Sequence, residues 1–290
     1  MHSAFWPICM ALTERLRRTV GGGWIFALVW LCCGPARADL WQQVTASHSL
    51  RCGVYADVPP FASPDPVTRR MAGMDVDLCG AVADSLGVRL QLVPLSVESR
   101  IPELQMGRVD ILIANLAYSR SRAQQITFSD AYYVAHEQLI VHRADAALTL
   151  ADIRGQRISA TRGSTSEESV RINQARPVSY RDTGAAYLAL AQHKVRGFVT
   201  NGMTARQLVA KVAADGVSLA IMEQPMADEP VAIGMRRGEA GLRTRVKQAR
   251  SQGRRVGDEC GTRQFPQHYK NHCTHPNFPL SRAHTSLITH

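Results

Sequence analysis

One apolar hexapeptide constrains this chain more than any other. Residues 109–114, VDILIA, form a short β-branched run with a polar turn behind it and a helix start beyond. A run this short and this apolar fits a strand buried on both faces. Before it, residues 101–108 (IPELQMGR) read as a short helix ending at Gly107. After it come Asn115 and Ala117, and Ser119 stands where a helix N-cap belongs, ahead of RSRAQQI. Free N–H groups at a helix start favour an anion, and Arg122 adds a permanently charged, two-pronged donor. The segment is therefore a candidate site for a small carboxylate.

The same grammar repeats along the chain. SLRCGVY reads as a strand, the Pro-rich stretch 57–66 as a loop, and GMDVDLCGAVADSLGV as an amphipathic helix stopped by Gly87. RLQLVPL is the next strand, and residues 137–143 (EQLIVHR) a further one. A second series starts after Ala144: strand RISATR, polar turn GSTSEES, a helix, strand VSYRD, helix GAAYLALAQHK, strand VRGFVTNG, helix TARQLVAKVAAD, then strands VSLAIM and PVAIGM. Strands alternating with helices of this length predict an α/β fold with mostly parallel sheets. Two such series predict two lobes, joined near residues 136–143 and again near 228–235. Polar turns at the strand ends of both lobes then face a cleft, with a hinge between. The expected boundaries are 39–140 for the first lobe with a return segment 233–245, and 141–232 for the second.

The two ends read differently. Arg15, Arg17 and Arg18, then GGGWIFALVWLCC, then Ala36-Arg37-Ala38, give the charged, apolar, small-x-small order of an export leader, so residues 1–38 are expected to be a signal peptide. Beyond about Leu242 the apolar pattern dissolves, and residues 246–290 are expected to be an atypical or disordered tail. Its His268, His272, Cys273 and His275 match no strong zinc spacing, so neither a metal nor any other cofactor is expected. Of the seven cysteines, Cys52 and Cys79 can pair in an oxidising compartment. Buried free thiols are the simpler expectation, because spacing alone does not establish their geometry. The net charge of +10 raises the question of nucleic acid, but the basic residues are scattered and carry no recognition motif. Nucleic-acid binding is not expected.

Three segments in register carry a family resemblance. GMDVDLCGAVADSLGV, GRVDILIANLAYSRSRAQQITFSDAYY and RISATRGSTSEE resemble the signature, central and second-lobe motifs of family 3 of the bacterial extracellular solute-binding proteins, the periplasmic components of amino-acid ABC importers. The likeness runs from about Leu50 to Leu242 and implies the type II periplasmic-binding-protein fold. It places a ligand carboxylate on Arg122, on backbone N–H groups around Ala117 and on Thr165, with Asn115 at the polar position after the central strand. It places the side-chain pocket at Tyr55 and Val58, with Phe61 nearby, and Arg100 lies on the cleft side of the first lobe. The chain departs from the family at Asn201, where many relatives carry an aspartate for the ligand's amino group. An amide accepts a hydrogen bond but supplies no charge. Val58 replaces an aromatic common in binders of basic amino acids, HKVRG at 193–197 replaces a more usual GKVDA, and the family's C-terminal helices are not recognisable.

The expected function is capture of an amino acid or related carboxylate by a monomer that delivers it to a membrane-embedded ABC permease, in the periplasm and without catalysis. Two other readings stay open. One is a cyclohexadienyl-dehydratase-like enzyme, needing a general acid such as Asp57, Glu98 or Glu167; the other is a ligand-sensing receptor lobe.

Overall fold

The computed structural model describes residues 39–259, with the backbone alone for 250–259. The signal-peptide reading of 1–38, with Cys9, Cys32 and Cys33, lies outside the described residues, as do residues 260–290 with their His/Cys group.

The first lobe opens with α1 (Leu40–Ser47) and β1 (Ser49–Tyr55), followed by the small hairpin β2 (Ser63–Pro64) and β3 (Met71–Ala72). Helix α2 (Met74–Leu86), β4 (Arg89–Leu95), α3 (Arg100–Gln105), β5 (Ile111–Leu112) and the single turn α4 (Arg120–Ala123) complete it. Strand β6 (Thr127–His142) then runs out of this lobe. The second lobe holds β7 (Arg157–Thr161), α5 (Thr165–Ile172), β8 (Arg176–Tyr180), α6 (Thr183–Ala191), β9 (Gly197–Asn201), α7 (Gly202–Ala214) and β10 (Leu219–Ile221). The chain returns through β11 (Ala227–Met235) to α8 (Ala240–Glu259).

The strand order is β4-β1-β5-β11-β6-β9-β7-β8, with β10 on β6. Strands β4, β1 and β5 are parallel, as are β9, β7 and β8. Between these halves β6 and β11 pair antiparallel, from Glu137 opposite Ala227 to Thr127 opposite Met235. Each lobe is thus a parallel sheet, and the two share one antiparallel ribbon as their hinge. The helix expected over RSRAQQI stops at Ala123, and β6 starts at Thr127, ten residues ahead of the strand expected at 137–143. Thr127, Phe128, Tyr132, Tyr133 and Val134 are β-branched or aromatic and favour a strand, and β11 supplies the partner for their backbone groups.

Local chemistry sets the element ends. Helix α2 stops at Gly87 in the left-handed region (φ 67°), and its N–H caps the last carbonyls. At the other end Gly73 has φ 135°, and a Cβ there would lie 2.4 Å from the Phe61 carbonyl oxygen, so only glycine fits. The first-lobe core joins Leu40 and Val44 of α1, Leu50 and Val54 of β1, Val82 of α2 and Ile111 of β5. Leu139, Ile158, Val170 and Val199 form one second-lobe cluster, and Phe198, Leu190 and Val212 another.

Two expectations are corrected here. Cys52 and Cys79 form a disulfide, with Cα atoms 6.2 Å apart, rather than standing as free thiols. Helix α2 lies across β1 and aims the two buried side chains at each other, a juxtaposition made by packing. The chain also remains helical beyond Leu242. Leu242 and Val246 are fully buried in the first-lobe core, the Arg245 guanidinium lies 4.1 Å over the Trp41 ring, and Glu239 accepts from the Leu40 N–H at 3.0 Å. The Arg-, Gln- and Lys-rich composition hid this helix, because among its described side chains one narrow apolar stripe, Leu242, Val246 and Ala249, is buried.

Candidate functional site

The strand ends of both lobes converge on one cavity of about 30 Å³. Its first-lobe wall is Tyr55 at the end of β1, Val58, Arg100 at the start of α3, and Asn115 and Ala117 in the turn after β5. Thr165 and Ser166 at the start of α5, Thr183 at the start of α6, and Thr200 and Asn201 at the end of β9 form the opposite wall. Ala135 and Glu137 of the hinge strand close the floor. Ligands of open α/β sheets bind at such carboxyl-terminal strand ends.

The lobes are closed over this space. Tyr55 Oη and Thr183 Oγ1 lie 3.3 Å apart, Asn201 Nδ2 donates to Asn115 Oδ1 at 3.4 Å, and Thr204 Oγ1 donates to the Pro59 carbonyl at 2.9 Å. About 30 Å³ holds roughly two waters, whereas small-molecule sites run to about 300 Å³ or more. A ligand of several heavy atoms therefore has to part the lobes along the hinge.

Asn115 has φ 45°, a conformation that asparagine tolerates better than most residues. Its N–H donates to Asp75 Oδ2 at 2.6 Å, and Tyr132 Oη donates to Asp75 Oδ1 at 2.8 Å. Burial pushes the Asp75 carboxyl up to about 6, against the pull of those two donors and of the Arg100 charge. Arg100 is 3% exposed and grips three carbonyls, those of Val97, Ala114 and Asn115. Its guanidinium lies 5.6 Å from the Tyr55 ring centre. Burial and then the nearby Arg122 charge lower its pKa, yet it stays cationic at neutral pH.

Arg122 is placed differently from the other six expected site residues, which all line the cavity. It sits just behind the wall, held in α4 with its N–H on the capping Ser119 Oγ. Nη1 donates to the Ala117 carbonyl at 2.8 Å and Nη2 to the Gly163 carbonyl at 3.0 Å, so one fork spans both lobes. Phe61 also stands back, fully buried against Tyr133 with ring centres 5.8 Å apart.

None of the three carboxylates considered as general acids reaches the cavity wall. Glu98 is exposed and pairs with Arg162 at 3.8 Å. Glu167 serves the Gly163 N–H, Ser179 and Arg171. The wall's carboxylate is instead Glu137, 4% exposed, which accepts from Ser166 Oγ. Burial, and then the Glu229 carboxylate, push Glu137 up to about 8. Glu229 is itself raised by burial, against a hydrogen bond from Thr165, and its Oε2 is buried without a partner. Glu137 was legible in principle, because Ala135, Glu137, Leu139 and Val141 share one strand face, an acid in phase with core positions.

A two-lobed α/β chain with polar strand ends closing on an interlobe cavity is a type II solute-binding protein. Residues 50–257 match the model of the bacterial extracellular solute-binding proteins, family 3, and the chain belongs to that family. It is 25% identical over 229 residues to the ABC transporter glutamine-binding protein GlnH of Bacillus subtilis, covering 76% of this chain and 82% of that one. The arginine-bound, truncated arginine-binding protein of T. maritima superposes with a TM-score of 0.67 at 26% identity, over 73% of this chain and 99% of that one. A further likeness, in fold alone, is to an ancestral amino acid-binding protein that is a precursor of cyclohexadienyl dehydratase, at 24% identity and TM-score 0.67, over 75% and 95% of the two chains. Among the described residues no helix is long and apolar enough to cross a membrane.

Proposed function

We propose that this protein is the exported, monomeric binding component of an amino-acid ABC importer, which closes its lobes on one amino acid and presents it to a membrane permease in the periplasm. The proposed lobes are 39–140 with 233–245, and 141–232. The observation that carries the reading is the interlobe cavity, where polar side chains from both lobes and the hinge converge. Glutamine and arginine binding by the related proteins points to the ligand class. In this reading opening the lobes parts Arg122 from the Gly163 carbonyl and frees one edge of its guanidinium for the ligand's carboxylate. Thr165, Asn115 and the turn at Ala117 complete that grip, Arg100 holds the turn in shape, and Tyr55 and Asn201 border the rest of the ligand. Isothermal titration against the twenty standard amino acids tests it: one or a few should bind saturably. Silence across that set would refute it.

One observation favours a second reading, a dehydratase on the same scaffold. Glu137 keeps its proton at neutral pH and lines the cavity, as a general acid must. Turnover of prephenate or arogenate by the purified protein separates the two.

A further inference from the structure

The cavity wall carries a cation, Arg100, and one carboxylate, Glu137. Arg100 is already committed to three carbonyls. Glu137 has only a neutral partner, the Ser166 hydroxyl, and forms no ion pair among the described residues. Arg122 is near enough to feel its charge, but both of its prongs are spent on the Ala117 and Gly163 carbonyls. Ionising a carboxyl buried this deeply without a cation is costly, so the group keeps its proton until a cation arrives. Its position gives it a use. Glu137 on β6 pairs directly with Asn201 on β9, so both side chains rise from the same face of the sheet, with Cβ atoms about 5 Å apart. Asn201 is neutral, and its Oδ1 is already occupied by the Met203 N–H, capping α7. The acidic member of this cross-strand pair is on the hinge.

We infer that Glu137 is the residue that receives the ammonium group of the ligand, with Asn201 beside it as a neutral neighbour. This rests on the amino-acid reading above and adds an orientation to it: carboxylate toward Arg122, Thr165 and the Ala117 turn, ammonium toward the floor of the cleft at the hinge. Because the hinge strand belongs to both lobes, the cation is gripped where the two lobes pivot, and closure brings the carboxylate contacts down onto a ligand already anchored. The groups facing Glu137 are Glu229 from β11, Arg122 from α4, Ser166 from α5, Asn201 from β9 and Tyr133 on its own strand. Without a cation this setting keeps Glu137 protonated at pH 7. An arriving ammonium therefore displaces that proton to solvent: the O–H bond of Glu137 is lost and an ammonium–carboxylate contact replaces it.

The test is calorimetric, with L-glutamine and L-arginine as probes and the full chain as the protein. Glu137→Gln keeps the shape and the Ser166 bond and removes only the capacity to ionise. It should weaken binding at least tenfold. Glu137→Gln combined with Asn201→Asp moves the acid to the neighbouring strand and still caps α7, and it should recover most of that loss, which also excludes a folding defect. In the wild-type protein at pH 7, titrations in buffers of differing ionisation enthalpy should show net proton release on binding, a readout that needs no variant. Equal affinity of wild type and Glu137→Gln, or absence of proton release, overturns the assignment while leaving the amino-acid reading standing. If neither probe nor any other amino acid binds the wild type, that reading fails and this one with it.

Discussion

Glu137→Gln should flatten the pH dependence of stability. The carboxyl moves from an ordinary 4.5 to about 8 in the folded protein, chiefly through burial. Between those values the folded chain holds a proton that the unfolded chain has released, so stability falls as pH rises. The slope is about 1.4 kcal/mol per pH unit per proton. Integrated between pH 6 and 8, with half-titration reached at the upper end, the loss is about 2 kcal/mol. Asp75, raised to about 6, contributes in the same direction but mostly at lower pH, and it is unchanged in the variant. Glu229 is likewise common to both proteins. Urea unfolding of wild type and Glu137→Gln at pH 6, 7 and 8, extrapolated linearly to water, reads the difference. The two stabilities should diverge by about 2 kcal/mol across that range, with the variant gaining relative to wild type. Parallel curves would mean that Glu137 is already ionised in the folded protein, and the account of its environment would be wrong.

Three further outcomes follow from packing. Replacing Cys52 and Cys79 by serine opens a link across 27 residues, and loop-closure entropy sets the expected loss at about 3.5 kcal/mol, visible as a lower urea midpoint than that of the oxidised wild type. Leu242→Ala on α8 should cost about 2–5 kcal/mol in the same assay, because this side chain is fully buried in the first-lobe core; a neutral result would detach α8 from that core. Arg122→Lys leaves a charge but no fork, so one of the Ala117 and Gly163 carbonyls loses its donor, at a cost of about 1–3 kcal/mol. Titration with the amino acid that the wild type binds should show at least a tenfold loss of affinity for this variant.

Most of the fold was legible because its signals are local. VDILIA announces a buried strand, Gly87 and Gly107 end their helices, and Ser119 and Ser164 supply the hydroxyls that cap α4 and α5. What was misread had signals that were weak or contradicted by composition. α8 presents a thin apolar stripe in a polar sequence, and β6 extends N-terminally of its apolar end into residues whose strand character depends on having β11 alongside. The site was legible in outline: Tyr55, Arg100, Asn115, Ala117, Thr165 and Asn201 do meet at one cavity. Its acid was not legible as the partner of Asn201, because Glu137 stands 64 residues before Asn201 in the sequence and becomes its neighbour only by cross-strand pairing.

From its sequence alone this chain already determined two α/β series, their strands and caps, and the turns that would carry a ligand, since each depends on residues within a few positions of one another. Three things were left to the tertiary structure: the disulfide between β1 and α2, the engagement of Arg122 with a carbonyl of the opposite lobe, and the pairing that sets Glu137 beside Asn201 at the cavity wall. Each depends on register and packing between segments distant along the chain, and the burial that perturbs a carboxyl exists only once those segments have met.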